Sequence, residues 1–281
     1  MKTWKKIILG VSLISLFLGG GLVAWGYSQG GLTDLQNKTI SEQDYVKKEV
    51  KDFNKIDIKS SSYNVLIKNG DVDKATLSYY QKTKNPIDTS VKDGQLIIND
   101  NNSELDSTSN KHINFFGLKD LVRLSTLNKE VRNKTIVITL PKKQTIDFLK
   151  VDLATGNLDL SNSTIKQADI NLNVGDLTFT KMIVSNLKAN LDVGSVDSDH
   201  TLFTNSDLSI AMGDYSGDNL IFNGHNKLDV TSGDIEIALK DYTLNVQADS
   251  HSGEVDITNN LKISKDNTLT ITSDLGDITI E

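Results

Sequence analysis

The chain of 281 residues contains no cysteine, which excludes disulfide bonds, a lipid-modified cysteine anchor and a cysteine nucleophile. Proline occurs only at Pro86 and Pro141, and no long low-complexity tract is present, which argues against a proline-rich spacer that crosses a cell wall. Arginine occurs only at Arg123 and Arg132, outside the repeats described below. This scarcity weakens the case for a polysaccharide-cleaving lyase site.

Motifs for catalysis and metal binding are also missing. The histidines His112, His200, His225 and His251 are scattered without metal-ligand spacing, which is typical of surface or turn residues. No G-x-S-x-G sequence marks a serine nucleophile at a strand-to-helix turn. We therefore expect no enzymatic activity and no cofactor. A polysaccharide-active solenoid enzyme is the alternative to the two non-enzymatic functions given below.

The balance of charge is acidic, with a formal net charge of −7 and an isoelectric point near 5.2. Binding to nucleic acid or to anionic lipid headgroups requires clustered positive charge, so neither is expected of the body of the protein. The acidic balance favours cationic partners instead. The sequence does not indicate an oligomeric state.

A glycine followed by a polar residue and then an apolar one recurs through the second half of the chain. These glycines are Gly156, Gly175, Gly194, Gly213, Gly233, Gly253 and Gly276, spaced by 19, 19, 19, 20, 20 and 23 residues. A nearly fixed period of this size predicts stacked copies of one supersecondary unit. We expect each glycine to form a tight turn, because glycine reaches positive φ without a Cβ clash.

Apolar and polar residues alternate on both sides of each glycine, as at Leu158 and Leu160 after Gly156. This period of two predicts strands with one buried face. Antiparallel hairpins would show the same alternation, but the constant register of equivalent positions favours parallel coils about 4.8 Å apart. The predicted fold class is therefore all-β, a single-stranded β-solenoid of 19–20-residue repeats over residues 141–281.

Two features of the repeats are irregular. Ser198 and Gly217 stand where an inward apolar residue is expected, which predicts local looseness. The last alternation, Ile278 and Ile280, predicts a strand at an open end of the stack. The acidic residues beside it could discourage edge pairing, or a partner or second copy could dock there.

Asp176, Asp214, Asp234 and Asp277 directly follow four of the repeat glycines. Aspartate is common in turns, which is one explanation of this pattern. The alternative is a calcium site, as in β-rolls whose turns stack carboxylates around the ion. Those β-rolls have a denser glycine and aspartate repeat than this chain.

The amino terminus predicts a membrane anchor. Residues 1–6 form a basic cytoplasmic tip, and residues 7–26 are apolar over about the length needed to cross a bilayer. Trp4 and Trp25 lie at its two ends, and the preceding lysines place the amino end inside and the body outside the membrane. The predicted location is the cell membrane, with a single pass. A cleaved signal peptide is the alternative.

The middle of the chain is less regular. Residues 27–52 are polar and suit a linker or stalk, and residues 53–140 show an irregular strand pattern. Residues 101–132 interrupt this pattern with apolar residues near helical spacing. This insertion could cap the amino end of the solenoid, contact a membrane or partner, or be disordered. The residues expected to make the cap or partner contact are Phe115, Phe116, Leu118 and Leu121.

Several segments together resemble a known family. They are the opening FNKIDIKSSSYNVLIKNGD, the central VKDGQLIIND, the strand IVITLP and the glycine repeats, which cover roughly residues 53–281. This layout resembles the bacterial putative-adhesin domain of unknown function, found in membrane-anchored proteins and in Lia-type envelope-stress systems of Gram-positive bacteria. The resemblance implies an extracytoplasmic β-solenoid without established catalysis, and it provides no functional residues.

Two non-enzymatic functions follow from these observations. The first is sensing or regulation of cell-envelope stress, in which the acidic body meets a cationic peptide or a protein partner in the envelope. The alternative is a cell-surface adhesin or structural rod that binds a polymer or another cell. An adhesin predicts a ladder of exposed side chains along one flank of the solenoid.

Overall fold

The computed structural model describes residues 43–82, 86–100 and 134–281, which form an all-β fold. These residues contain 25 strands and no helix, so none of them belongs to a helix that could span a membrane. The predicted membrane segment at 7–26 and the predicted insertion at 101–132 lie outside the described residues.

The strands of the solenoid lie on three faces. In stack order, face 1 consists of β5 (Asp88–Lys92), β6 (Gln95–Asn99), β2 (Lys55–Ser60), β9 (Phe148–Leu153), β12 (Ala168–Val174), β15 (Leu187–Val193), β18 (Asp207–Met212), β20 (His225–Ser232), β24 (Thr268–Leu275) and β22 (Asn245–Ser250). Face 2 consists of β1 (Gln43–Glu49), β4 (Thr76–Lys82), β7 (Thr135–Pro141), β3 (Asn64–Gly70), β10 (Leu158–Ser161), β13 (Leu177–Thr180), β16 (Val196–Asp199), the first half of β19 (Tyr215–Asn223), β21 (Ile235–Leu239), β25 (Ile278–Ile280) and β23 (Val255–Ile257). Face 3 consists of β8 (Thr145–Ile146), β11 (Thr164–Ile165), β14 (Ile183–Ser185), β17 (Leu202–Thr204) and the second half of β19.

One regular coil passes through all three faces before the next begins. The first coil runs along β9, turns at Gly156 into β10, and returns through β11 to β12 of the next coil. Equivalent residues pair in parallel and in register, for example Leu158 with Leu177 on face 2 and Thr164 with Ile183 on face 3. This arrangement confirms the long parallel sheets predicted for a β-solenoid, and the hairpin alternative is wrong for the regular repeats.

The core consists of inward-facing residues stacked in columns along the solenoid. In β10, β13 and β16 the first residues, Leu158, Leu177 and Val196, are fully buried. Phe179, Phe203 and Phe222 form a second stack, with ring centroids 5.3 Å apart in the first pair and 5.8 Å apart in the second. Burial of such columns between coils is the main stabilising contribution, since no single coil can bury its apolar side alone.

The predicted looseness at Ser198 and Gly217 is wrong. Tyr215 is buried beside them, and its hydroxyl donates a hydrogen bond to the Ser198 Oγ at 3.3 Å. A Cβ atom on Gly217 would lie 2.4 Å from the Cδ1 atom of Leu220. The two small residues therefore make room for the larger neighbours Tyr215 and Leu220, and the core remains filled.

The order of coils in the stack differs from their order in the sequence. Strands β24 and β25 lie between the coil of β20 and β21 and the coil of β22 and β23. The expectation that Ile278 and Ile280 form an open edge is therefore wrong, because β25 pairs on both sides. The other end repeats this arrangement, since β2 and β3 lie between β6 and β7 on one side and β9 and β10 on the other.

The amino-terminal end of the stack is covered by antiparallel strands. On face 2, β4 pairs with β7, and β1 pairs with β4; on face 1, β5 pairs with β6. Residues 43–49 form β1, so the predicted linker 27–52 is wrong over these residues. The insertion predicted at 101–132 is flanked by β6 and β7, which both belong to this end of the stack.

Candidate interaction surface

The repeat glycines form one column along the edge between faces 1 and 2. Six of them, all except Gly253, have φ between 140° and 150°. A Cβ atom on Gly194 would lie 1.9 Å from the carbonyl oxygen of Gly175, and the other repeat glycines meet the backbone below them at 2.0–2.4 Å. Positive φ, which was predicted as the reason for glycine at these positions, is confirmed for these six residues. Close approach of successive backbones is a second reason, which also applies to Gly253.

The residue after each glycine, together with Asn64 at the start of β3, forms a hydrogen-bonded ladder along the stack. Its side-chain oxygen accepts the backbone N–H of the equivalent residue in the next coil. The acceptor and donor pairs are Asn64 with Asn157 (2.9 Å), Asn157 with Asp176 (3.0 Å), Asp176 with Ser195 (3.1 Å), Ser195 with Asp214 (3.4 Å), Asp214 with Asp234 (2.9 Å), Asp234 with Asp277 (2.9 Å) and Asp277 with Glu254 (2.8 Å). Every side chain that accepts in this ladder is a short polar one: asparagine, aspartate or serine.

The ladder bears directly on the calcium alternative. Asp176, Asp214, Asp234 and Asp277 lie in a line along the stack, and each uses one carboxylate oxygen to accept a backbone N–H. Calcium requires six to eight oxygen ligands around one point, whereas a line of carboxylates spreads its oxygens along the sheet. Hydrogen bonding in the turn explains these four aspartates.

Asp199, His200 and Asp218 form the group that comes closest to a metal site among the described residues, with ligand atoms within 4.8 Å of one another. The His200 Nδ1 atom lies 2.7 Å from the Asp199 Oδ1 atom. In the next coil, Asn219 occupies the position of His200 and donates to Asp218 at 2.8 Å. In both coils, the residue at the turn from face 2 to face 3 contacts the carboxylate that precedes it. The geometry of this turn therefore explains the group.

The outward side of face 2 carries charge of one sign from β10 to β23. From β10 to β23, neither the strands nor the residues after the glycines contain lysine, arginine or histidine. The acidic residues there, which we call the acidic face, are Asp159, Asp176, Asp197, Asp199, Asp214, Asp218, Asp234, Glu236, Glu254, Asp256 and Asp277. Face 1 differs, because lysines lie beside its acids: the Lys150 Nζ atom is 3.7 Å from Asp152, and Lys227 contacts Asp229.

Comparison with known proteins identifies the family. The family model described as Toastrack DUF4097 matches residues 53–281. The chain belongs to the Toastrack DUF4097 family, a domain family of unknown function. No curated protein matches its sequence.

Several solved structures are similar to this Toastrack chain. One is a putative cell adhesion protein from Clostridium sporogenes, 16% identical, with a TM-score of 0.32, and the match covers 85% of this chain and 99% of that one. Another is a putative adhesin from Bacteroides fragilis, 15% identical, with a TM-score of 0.35 and coverage of 85% and 97%. A third is a putative lipid binding protein from Parabacteroides distasonis, 10% identical, with a TM-score of 0.37 and coverage of 86% and 98%.

The surroundings of Asp159, on the acidic face, shift the protonation equilibrium of its carboxyl group. Burial raises the pKa of its carboxyl to about 6 from the ordinary 3.8, and the nearby charge of Asp176 adds to this effect. A hydrogen bond with Thr178 acts in the opposite direction but is outweighed. A positive charge placed beside Asp159 would favour its ionised form.

The acidic face was only partly predicted for this Toastrack chain. The structure brings together the aspartates after the glycines and the outward residues Asp159, Asp197 and Glu236, which the sequence analysis did not single out. Their signal was present, because every charged residue at the polar positions after the repeat glycines is acidic. Phe115, Phe116, Leu118 and Leu121, the predicted cap or partner contacts, lie outside the described residues.

The described surface offers a place for binding positive charge. A small cavity in the core is lined mainly by apolar residues, among them Phe203, Phe222 and Leu228. On the outside, the stacked carboxylates of the acidic face can attract positive charge over a length of several coils. The chemistry that this Toastrack surface supports best is recognition of a cation or a positively charged polymer.

Proposed function

We propose that this Toastrack protein is a non-catalytic interaction module of the cell envelope that binds a cationic partner on its acidic face. The observation that carries the proposal is the charge of one sign on face 2 from β10 to β23, beside a face 1 on which lysines accompany the acids. Surface charges of one sign steer oppositely charged partners and raise their rate of association. The partner is a cationic peptide or a basic region of another envelope protein.

The cellular role that we propose is sensing or regulation of envelope stress, as in Lia-type systems. In this role the segment 7–26 anchors the protein in the membrane with residues 1–6 in the cytoplasm, and the solenoid lies outside. The apolar character of residues 7–26, the preceding lysines and the acidic face support this proposal.

The binding proposal is tested with two charge-matched variants of the full chain in a non-ionic detergent. The first, Asp214→Asn with Glu236→Gln, removes two charges from the acidic face, and asparagine keeps the acceptor that the ladder needs. The second, Asp152→Asn with Asp229→Asn, removes two charges from face 1. The probe is fluorescein-labelled octalysine, and its affinity is measured by fluorescence anisotropy at two salt concentrations.

We expect the face 2 variant to bind octalysine several-fold more weakly than the face 1 variant, because the strands of face 2 from β10 to β23 contain no lysine that would compensate the acidic charge. High salt should weaken binding to both variants and the unmodified chain. Equal loss of affinity in the two variants would contradict the proposal, because net charge rather than the acidic face would then explain binding.

The stress role requires a separate test in the bacterium that encodes the protein. The transcript and protein levels and the survival of a deletion strain are measured after challenge with a cationic antimicrobial peptide or a lipid II-binding antibiotic. Induction together with altered survival would support the role in envelope stress. Unchanged expression and survival would contradict that role without affecting the binding of cations.

Adhesion to a polymer or another cell is the second candidate function. The observation that favours it is the regular ladder of outward polar side chains on face 2, which repeats with each coil. If adhesion is the function, cells that display the Asp214→Asn and Glu236→Gln variant should attach less well than cells with the face 1 variant. Equal attachment of both strains would argue against it.

A further inference from the structure

Strands β22 and β23 form one end of the stack, which we call the distal end. Val255 in β23 is 41% exposed, whereas Ile278 and Ile235, its equivalents in the two preceding coils, are 0% and 1% exposed. Val246, Ala248 and Ile257 are likewise only partly buried although they face the core. Within the described parts of the chain, the apolar columns of the core therefore end at a surface that no strand covers.

The distal end also presents backbone donors in a fixed register. In every coil of the regular stack, the N–H of the glycine and that of the inward residue two positions later donate to the next coil. Examples are Gly233 to Leu275 at 2.9 Å and Ile235 to Asp277 at 2.8 Å. The last such N–H groups that find acceptors are those of Gly276 and Ile278. They donate to the carbonyl oxygens of Ser252 and Glu254, respectively. The equivalent donors of the final coil are the N–H groups of Gly253 and Val255, and no described coil follows them.

The two ends of face 2 differ in how their edge strand is protected. At the amino-terminal edge, Lys48 of β1 is paired with the buried Leu77 and so stands on the inward side, and its Nζ atom donates to Thr89 of β5. A lysine on the inward side of an edge strand discourages the addition of another strand. At the distal edge the corresponding positions are Val255 and Ile257, which carry no charge and would pack against an added strand.

The outward residues of β23 restrict the chemistry of such a strand. Glu254 and Asp256 alternate with Val255 and Ile257, so the two sides of the edge are acidic and apolar. Neighbouring side chains on one side of a sheet interact, and opposite charges there are favourable. A complementary strand has apolar residues on its inward side and lysine or arginine on its outward side.

We infer that the distal end is a docking site for an extended peptide segment with alternating apolar and basic residues, which adds as a strand to β23. Its backbone accepts hydrogen bonds from the N–H groups of Gly253 and Val255. Its apolar side chains cover Val255 and Ile257, and its basic side chains face Glu254 and Asp256. This inference rests on the proposed function in one respect, the positive charge of the partner. It adds the site of binding and the extended conformation of the bound segment.

The experiment uses the full chain in a non-ionic detergent and two labelled peptides with identical charge. The first peptide is acetyl-KVKIKVK-amide, and the second has proline in place of isoleucine, which removes a backbone donor and disfavours a strand. Binding is measured by fluorescence anisotropy. We expect the first peptide to bind at least about tenfold more tightly, because only it can pair along the edge.

Two protein variants locate the site. In Val255→Lys with Ile257→Lys, inward charges block strand addition, so the preference for the first peptide should disappear. The control, Ile263→Lys with Leu275→Lys, adds the same charge at two residues that are already 85% and 56% exposed, and it should keep the preference. Circular dichroism shows whether each variant is folded. The comparison of the two peptides on the unmodified chain tests strand addition even if a variant does not fold.

Three outcomes would overturn the inference. Equal binding of both peptides would show that charge alone attracts them. The proposed function would then still stand if octalysine binding depends on Asp214 and Glu236. Retention of the preference by the Val255→Lys and Ile257→Lys variant would place the site elsewhere. Self-association of the unmodified chain in sedimentation experiments, lost in that variant and unaffected by the peptide, would assign the distal end to a second copy.

Discussion

The carboxylate of Asp234 accepts the backbone N–H of Asp277 at 2.9 Å, across 43 positions of the sequence. Glu254 occupies the equivalent position between them in the sequence, yet it lies beyond Asp277 in the stack and bonds to Asp277 at 2.8 Å. The ladder therefore follows the spatial order of the coils. The ladder is continuous although the last two coils stack in the reverse of their order in the sequence. The residue after each glycine is therefore matched to its neighbours in the stack.

Replacing Asp234 with alanine should lower the free energy of unfolding by about 1 kcal/mol, because the N–H of Asp277 loses its acceptor. Asparagine at the same position keeps an acceptor oxygen, so Asp234→Asn should change stability by less than about 0.5 kcal/mol. Both values are measured by urea unfolding with and without a chelator. If calcium raised the stability of the unmodified chain and of neither variant, the calcium alternative would be supported instead.

Replacing Gly194 with alanine should destabilise the protein by about 3 kcal/mol, because a strained backbone and a clash coincide. Gly194 has φ near 149°, and its added Cβ atom would lie 1.9 Å from the Gly175 carbonyl oxygen. The neighbouring change Ser195→Ala removes only a hydrogen bond of 3.4 Å and should cost about 0.5 kcal/mol or less. Similar melting temperatures for the two variants would contradict this account of the glycine column.

Asp159 should make the stability of the fold depend on pH. Its pKa is about 6 in the folded chain against the ordinary 3.8, so the folded state binds a proton more tightly than the unfolded state between these values. Its contribution is therefore fully favourable below about pH 4 and is lost as the pH rises through about 6. Asp159→Asn should raise the free energy of unfolding at pH 7.5 by up to about 3 kcal/mol, because one pKa unit corresponds to about 1.4 kcal/mol.

The control for Asp159 is Asp256→Asn, which changes an exposed acid at an equivalent outward position of β23. Urea unfolding of both variants is measured from pH 4 to pH 8. The gain from Asp159→Asn should shrink as the pH falls below 6, whereas the control should show little change. A gain that is the same at every pH would contradict burial of a charge as its cause.

The contact between Tyr215 and Ser198 can be separated from the packing around it by a double-mutant cycle. Tyr215→Phe and Ser198→Ala should each cost about 1 kcal/mol, because each leaves a buried hydroxyl without its partner. The double variant should cost less than the sum, since both hydroxyls are then absent. Thermal unfolding provides the three values, and strict additivity would show that the hydrogen bond contributes nothing.

The repeating part of the fold could be predicted because local chemistry recurs in it. The spacing from Gly156 to Gly213 fixes the coil length, and alternation such as Leu158 and Leu160 fixes which side faces the core. The third face was not predicted, because strands as short as Thr164–Ile165 contain too few residues for a periodic signal. The aspartates after the glycines indicate turn chemistry, but their hydrogen-bond partners lie as far as 43 positions away, so no local pattern reveals them.

Interactions between coils account for what the sequence analysis missed. Ser198 and Gly217 look like defects in the alternation. Ser198 is complementary to Tyr215 of the next coil, and Gly217 is complementary to Leu220 of its own strand β19. Equally, the interval of 23 residues between Gly253 and Gly276 differs only slightly from the others. That interval contains the connection that carries the chain back by one layer, and no local pattern distinguishes such a return from a longer loop.

The position of β24 and β25 constrains the order in which this solenoid can form. A simple solenoid can grow by adding each new coil to the one just completed, as the chain becomes available from its amino end. Here strands β22 and β23 are made earlier but have no partner strand on faces 1 and 2 until β24 and β25 pair with β20 and β21. The final step is thus the simultaneous docking of two coils, so a chain that lacks residues 268–281 should lose the preceding coil as well.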